Sequence, residues 1–238
     1  MIVRRLGLAA LALLAGLAEV RPGRATLLGH GGPVRAVVVA ADGQTAVTGG
    51  FDYSLIVWRL ADETPLRHLI GHDGPVNGVA LTPDGQQAVS ASDDGTVVVW
   101  DLASGAVLRR FDVGVKLGTV ALSPDGALAA AGGWDGRVHL WRLADGAHEP
   151  PLDAGGERVT ALSFTAGGAR LVAGGHEGSL RAWRLPGREP MAPEAAHAFG
   201  LTALAVLPHG GGLVSGSIDR SLRLWPSGES LAGHDQPV

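Results

Sequence analysis

The sequence predicts an all-β protein, and three observations lead to this prediction. Tryptophan recurs at a nearly constant interval, and short runs of apolar and β-branched residues alternate with turn residues. No window of about a dozen residues in the repeating part has the 3.6-residue period of a helix. Glycine supplies 37 of the 238 residues, about twice its average share, which favours many tight turns.

Five tryptophans mark a repeat, with spacings of 42, 41, 42 and 42 residues: Trp58, Trp100, Trp141, Trp183 and Trp225. An acid lies six positions before each of them: Asp52, Asp94, Asp135, Glu177 and Asp219. A turn dipeptide begins ten positions before each acid: Asp42-Gly43, Asp84-Gly85, Asp125-Gly126, Gly167-Gly168 and His209-Gly210. Markers that keep phase with a period of about 40–45 residues predict the blades of a β-propeller.

Each repeat has the pattern of an antiparallel meander. In the first repeat, apolar runs at 34–39, 44–48 and 54–58 are separated by turn residues, and each phased tryptophan is expected in the third strand of its blade. Three Gly-Gly pairs recur in phase and are expected at strand ends, next to tight turns: Gly49-Gly50, Gly132-Gly133 and Gly174-Gly175.

The predicted propeller domain covers residues 26–238. Its repeats lie at about residues 29–70, 71–111, 112–153, 154–195 and 196–232. The last residues, 233–238 (GHDQPV), match the openings of earlier repeats. The sequence therefore predicts five four-stranded blades and the start of a sixth, as expected for an incomplete or truncated propeller.

Gly29-His30, Thr48, Asp52 and Trp58 resemble the Gly-His and Trp-Asp repeat of the WD-repeat β-propellers. In that family a His, a Ser or Thr, an Asp and a Trp form a hydrogen-bonded tetrad inside a blade. The resemblance implies three complete tetrads: His30, Thr48, Asp52, Trp58; His72, Ser90, Asp94, Trp100; and His197, Ser215, Asp219, Trp225.

The third and fourth repeats depart from this pattern. Val113 and Gly155 take the place of the histidine, and Ala131 and Ala173 take the place of the hydroxyl residue. Both polar partners are missing together, so neither blade is expected to bury a half-satisfied polar network.

Residues 1–25 are predicted to be a signal peptide. Two arginines lie within residues 1–5, and the uncharged apolar run at 6–18 is too short to span a bilayer but suits a secretory signal. Cleavage is expected near residue 18 or 25. The prediction is export to the periplasm of a bacterium, with no membrane insertion after cleavage. The alternative is a membrane anchor formed by residues 6–18.

Composition excludes several kinds of chemistry. The net charge of −4 argues against nucleic-acid binding, which needs a basic excess. The chain has no cysteine, which excludes a Cys nucleophile, Cys-ligated zinc and covalently attached c-type haem. There is no Gly-x-Ser-x-Gly nucleophile elbow. We expect no enzyme activity, no metal site and no cofactor, and we expect His139, His148 and His209 to be solvated.

The resemblance implies that the loop face of the propeller binds a protein partner. The family's contact positions lie before the tetrad acid and three or five residues after the tetrad histidine. The candidate residues are Arg35, Phe51, Asn77, Asp93, Lys116, Trp134, Arg158 and His176. Trp134 is out of phase with the repeat and Lys116 is the only lysine, so we expect an aromatic anchor with a charged rim. The alternative is that Trp134 merely packs over a neighbouring blade.

A second function is implied by similarity to exported bacterial WD-repeat chains that carry a c-type cytochrome domain. In this alternative the chain is the propeller portion of a periplasmic electron-transfer protein, and the haem domain or the missing blades come from another segment.

Overall fold

The computed structural model describes residues 29–192, 194–195, 197–207, 212–225 and 227–231. These residues form strands and turns without a helix, and the strands pair as five antiparallel four-stranded blades. The all-β prediction and the five blades are therefore confirmed. The predicted signal peptide at 1–25 and the predicted sixth-blade start at 233–238 lie outside the described residues.

The strands of each blade follow one another in sequence and in the sheet. Blades 1 to 3 are β1 (Val34–Val39), β2 (Thr45–Gly50), β3 (Ser54–Arg59), β4 (Thr64–Ile70); β5 (Val76–Leu81), β6 (Gln87–Ser92), β7 (Thr96–Asp101), β8 (Val107–Asp112); and β9 (Leu117–Leu122), β10 (Leu128–Gly133), β11 (Arg137–Arg142), β12 (His148–Asp153).

Blades 4 and 5 have shorter outer strands. Blade 4 is β13 (Val159–Phe164), β14 (Arg170–Gly175), β15 (Ser179–Arg184), β16 (Glu189–Pro190) and β17 (Glu194–Ala195), and blade 5 is β18 (Leu201–Val206), β19 (Leu213–Ser217), β20 (Leu222–Trp225) and β21 (Glu229–Leu231). Both β16 and β17 pair with β15, so the outer edge of blade 4 is interrupted. All five phased tryptophans lie in the third strands of their blades.

The Asp-Gly dipeptides form the turns between the first and second strands, as the sequence predicts. The carboxylate of Asp42 accepts a hydrogen bond of 2.8 Å from the backbone N–H of Gln44. Gly43 has a φ of 65°, a left-handed conformation that glycine adopts without side-chain strain. The side chain of Asp42 and the left-handed backbone of Gly43 therefore stabilise the turn of the β1–β2 hairpin.

Most of the hydrophobic core consists of layers between consecutive blades, and a further small cluster lies within blade 1. One layer joins Val47 and Leu55 of blade 1 to Val76 and Trp100 of blade 2. Further clusters of buried apolar side chains join the remaining pairs of consecutive blades, and the one between blades 4 and 5 is the smallest of them. The inner strands β1, β5, β9, β13 and β18 lie side by side in that order. The middle strands are buried on both faces, which explains why their inward residues are apolar or small, with buried hydroxyl residues among them.

The in-phase glycine pairs are the last two residues of β2, β10 and β14, directly before the turns to the third strands, as the sequence predicts. A Cβ at Gly132 would lie 2.5 Å from Val159 Cγ1 of the next blade, and a Cβ at Gly49 would lie 2.6 Å from Val76 Cγ1. Glycine is needed there because the inner strand of the next blade touches the backbone.

The face of β1 that points away from blade 2 is open. Val34 is 51% exposed, whereas the equivalent residues of the other blades, Val76, Leu117, Val159 and Leu201, are at most 1% exposed. Val37 and Val39 are also exposed on β1. Among the described strands, the side-by-side packing of inner strands does not continue from β18 to β1. We call the exposed surface of Val34, Val37 and Val39 the seam.

Candidate functional site: the loop face and the tetrads beneath it

Blade 2 contains a buried hydrogen-bonded tetrad. His72 lies between Ser90 and Asp94, with Nε2 2.7 Å from Ser90 Oγ and Nδ1 2.8 Å from Asp94 Oδ2. The indole N–H of Trp100 donates to Ser90 Oγ at 2.8 Å. The serine hydroxyl therefore joins the third strand to the loop that precedes the first strand.

Blades 1 and 5 contain the same arrangement. Their contacts are His30 Nε2–Thr48 Oγ1 at 2.8 Å, His30 Nδ1–Asp52 at 2.9 Å, Trp58–Thr48 at 2.7 Å, His197 Nε2–Ser215 Oγ at 2.7 Å, His197 Nδ1–Asp219 Oδ2 at 3.0 Å and Trp225–Ser215 at 2.9 Å. The structure thus brings together the residues of all three sets that the sequence singled out.

Each of these tetrads has a further hydroxyl that sequence reasoning missed. Thr96 Oγ1 donates to Asp94 at 2.8 Å, and Ser54 and Ser221 donate in the same way to the acids of blades 1 and 5. A hydroxyl residue two positions after the acid was the available signal. It recurs in all three complete blades.

The tetrad acids are held in the ionised form. Partial burial acts to raise the pKa of Asp52, but hydrogen bonds from His30, from the backbone N–H of Gly31 and from Ser54 outweigh it and lower the pKa to about 2. The pKa of Asp94 is also below its usual value, because N–H and hydroxyl donors outweigh desolvation. Burial lowers the pKa of His72 despite its contact with Asp94.

Blade 3 replaces its missing tetrad with a different histidine. His139 was expected to be solvated, but it is 7% exposed and its Nε2 lies 3.2 Å from Asp135 Oδ2. It lies opposite Ala131 in the β10–β11 register, so the small side chain at the hydroxyl position leaves room for the ring. His148 is exposed, as expected, and its ring stacks on His139. His209 lies outside the described residues.

Blade 4 uses an acid from its first loop. Glu157 accepts hydrogen bonds from the hydroxyl of Ser179 and from the backbone N–H of Glu177. This carboxylate reaches the third strand from the loop before the first strand, the loop that carries the tetrad histidine in blades 1, 2 and 5, and no repeat position in the sequence indicated it.

On the loop face, five candidate residues form a continuous line across blades 2 to 4. Trp134 is 44% exposed, with Lys116 Nζ 4.9 Å and Arg158 Cζ 4.6 Å from the centroid of its ring. Lys116 Nζ also lies 3.5 Å from Asp93 Oδ2. Arg158 Nη2 lies 3.1 Å from His176 Nδ1. We call Asp93, Lys116, Trp134, Arg158 and His176 the loop-face line.

The repeat backbone places these residues. The N–H of Trp134 donates to the carbonyl of Lys116 at 2.9 Å, and the N–H of His176 donates to the carbonyl of Arg158 at 2.9 Å. The residue before each acid is therefore held beside the start of the inner strand of its own blade. The long side chains of Lys116 and Arg158 reach back to Asp93 and Trp134 of the preceding blades.

The other candidates lie beside this line. Asn77 Nδ2 donates to Asp93 Oδ1 at 2.7 Å and to the carbonyl of Leu117 at 2.9 Å, which orients Asp93. Arg35 lies over the ring of Phe51, at 4.8 Å from its centroid. That pair belongs to blade 1 and makes its contact separately from the line.

A family model described as "WD domain, G-beta repeat" (WD40) matches residues 23–59, 63–101, 114–142, 151–184 and 190–226. These segments cover most of the chain and one lies in each blade. The chain belongs to the WD40 repeat family. No curated protein matches it.

The second letter of the Trp-Asp signature is rare in this WD40 propeller. Of the five phased tryptophans, only Trp100 is followed by an acid, Asp101, and the tetrads do not use that position. In the part of the chain that the structure describes, no group of three or more His, Asp or Glu side chains is placed to hold a metal ion. The same part has no helix long and apolar enough to cross a membrane.

We predict that His72→Ala lowers the free energy of unfolding by roughly 1–3 kcal/mol, because Ser90 and Asp94 lose a buried partner. Val113→Ala at the equivalent position of blade 3 is the control and should lose only apolar contact. Urea denaturation of both variants measures the difference. An equal or smaller loss for His72→Ala would contradict the role given to the tetrad.

We also predict that His139 makes stability pH-dependent. Burial lowers its pKa below the ordinary 6.5 despite Asp135, so the unfolded chain takes up the proton first. Neutral, buried His139 therefore makes its full contribution to the free energy of unfolding above the ordinary pKa. This contribution is lost as the pH falls below that value.

The measurement is the free energy of unfolding between about pH 7.5 and 5.5, the range in which histidine ordinarily titrates. The wild type should lose more stability on acidification than His139→Leu. The exposed His68→Leu should behave as the wild type. Parallel curves for the wild type and His139→Leu would show that His139 titrates normally.

Proposed function

We propose that this WD40 propeller is a non-catalytic scaffold that binds an acidic segment of a partner protein on the loop-face line. WD40 propellers commonly serve as protein-interaction scaffolds, and this gives the general class. The observation that carries the specific proposal is Trp134, which stays half-exposed while two cations contact its ring.

The charges of the loop face support an acidic partner. The whole chain has a net charge of −4, yet Arg35, Lys116 and Arg158 all lie on this face. Lys116 is half-exposed and its one described counter-charge, Asp93, is 3.5 Å away, so a stronger carboxylate contact remains available. Exposed cations of this kind mainly raise association rates and set salt dependence.

Trp134 supplies the anchor in this proposal. Tryptophan is enriched among the residues that dominate binding energy. Its indole N–H has no acceptor among the described residues, in contrast to the N–H groups of Trp58, Trp100 and Trp225, which donate inside their blades. A free donor beside two cations suits a peptide carbonyl next to an acidic side chain.

We predict that Trp134→Ala speeds dissociation of the partner, whereas Lys116→Gln and Arg158→Gln mainly slow association and weaken its salt dependence. Leu108→Ala, on the exposed outer strand β8, is the control. The measurement is capture from the envelope fraction of the native cell, followed by kinetics on the captured protein, with a Glu-rich decapeptide as competitor. Loss of capture by Leu108→Ala but not by Trp134→Ala would place the site elsewhere.

We further propose that the propeller is exported to the periplasm and that another blade of the same repeat type covers the seam. Two arginines followed by the apolar run at 6–18 support export. The seam supports the blade, because residues equivalent to Val34 are buried against the glycine end of a preceding second strand in blades 2, 4 and 5.

One labelling experiment tests both statements separately, because the chain has no cysteine and single cysteines can be introduced cleanly. Ala61→Cys is exposed, Val76→Cys is buried and Val34→Cys lies on the seam. In intact native cells, a membrane-impermeant maleimide should label Ala61→Cys but spare Val34→Cys and Val76→Cys. Unlabelled Ala61→Cys would contradict export, and labelling of Val34→Cys would contradict a covering blade.

The electron-transfer alternative stays a prediction. It requires a c-type cytochrome domain on another segment or partner, since this chain has no cysteine to attach haem. The absorption spectrum of the complex captured from native cells distinguishes the two functions, because a haem Soret band would appear only in the alternative.

A further inference from the structure

A cavity of about 560 Å³ lies between blades 4 and 5, away from the loop-face line. Its walls are largely apolar and include Leu180, Ala182 and Met191 from blade 4 and Leu213 and Trp225 from blade 5. Its volume is in the range of ligand sites, which are commonly about 300–1,000 Å³.

The first cause of the cavity is a small residue in the third strand of blade 4. Val57, Val99 and Leu140 occupy the equivalent position in blades 1 to 3, where they pack against the next blade and are at most 3% exposed. Ala182 takes that position in blade 4, opposite Val172. Several methyl groups are therefore missing from this interface.

The second cause is the interrupted outer strand. Leu69, Phe111 and Leu152 lie opposite the third strand in blades 1 to 3, and Phe111 stacks on Trp141 of the next blade at 5.2 Å. The equivalent register position in blade 4 is Glu194, opposite Leu180. Trp225 is correspondingly half-buried, while the other four phased tryptophans are at most 4% exposed.

Two exposed arginines without counter-charges lie opposite each other in the β14–β15 register, and one of them lines this cavity. Arg170 lines it and is directly opposite Arg184 in the β14–β15 register, an arrangement of like charges that is unfavourable by itself. The equivalent Arg142 pairs with Asp145 at 3.0 Å, but Gly187 holds that spacing after Arg184. No described side chain forms an ion pair with Arg170 or Arg184.

We propose that the cavity binds an anionic amphiphile, with its apolar chain against Trp225 and its carboxylate or phosphate monoester head between Arg170 and Arg184. Guanidinium groups bind such heads through paired, charge-assisted hydrogen bonds. The head would also relieve the repulsion between the two arginines. This site is independent of the partner proposed for the loop face.

The test is isothermal titration calorimetry of the full chain with decanoate, decyl phosphate and decan-1-ol. The double variant Arg170→Gln/Arg184→Gln should lower the affinity for decanoate or decyl phosphate, whichever the wild type binds, by about tenfold or more, because charge-assisted hydrogen bonds are lost. The same double variant should bind decan-1-ol with nearly the affinity of the wild type. Arg142→Gln is the matched control in blade 3 and should change neither the affinity for the acid nor that for decan-1-ol. The acid that binds the wild type more tightly identifies the head group.

Filling the cavity is the second arm. Ala182→Val introduces the side chain that blades 1 and 2 already carry at this position, and Ala182→Leu fills more of the space. Both should raise the melting temperature and weaken all ligands that bind the wild type, while Trp134→Ala should have no effect. Undetectable binding to the wild type, or acid binding indifferent to the Ala182 variants, would overturn the proposal. Acid affinity that persists without both arginines would overturn the anionic part.

Discussion

The architecture depends on one close contact between consecutive blades. The first residue of each inner strand from blade 2 onward packs against the end of the second strand of the preceding blade, which in blades 1, 3 and 4 carries a glycine in contact with it. A side chain at Gly132 or Gly49 would collide with a β-branched residue of the next inner strand. This approach brings whole blade faces together and creates the interblade layers. These layers stabilise the fold, because the favourable free energy of apolar burial grows with the area removed from water. The loop face is rigid as a consequence, since its residues extend from strands fixed by these layers.

The tetrads consolidate the blades but are not the common basis of the fold. Blades 3 and 4 adopt the same strand order without them, and each satisfies its polar groups in its own way. In blade 3, His139 bonds to an acid four residues away in the sequence, whereas in blade 4, Glu157 crosses the blade to Ser179. A buried polar network is favourable when its polar groups have hydrogen-bond partners. Blades 3 and 4 provide these partners with two different sets of residues. The repeat thus tolerates changes in polar chemistry more readily than changes in the interblade approach.

These differences explain what the sequence could predict. Strands, blade number and the place of each tryptophan follow from features repeated in phase, so each copy supports the others. Residues that depart from the repeat have no such support. The burial of His139 depends on the space left by Ala131, and the role of Glu157 depends on a fold across the whole blade. The candidate residues of the loop face were identified through a resemblance, but the contact of Trp134 with Arg158 crosses from blade 3 to blade 4. Such distances arise only from the packing of neighbouring repeats.

The seam also affects the distribution of stability along the molecule. When each unit contacts only its neighbours, terminal units have one supporting interface and internal units have two. If no further blade covers the seam, blades 1 and 5 are expected to open more often than blades 2 to 4, and a covering blade would remove this difference. The loop-face line lies on the three internal blades, so hydrogen exchange should be slowest directly beneath it. The cavity lies between blades 4 and 5. A ligand bound there would therefore hold blade 5 against blade 4 and reduce the local opening of blade 5.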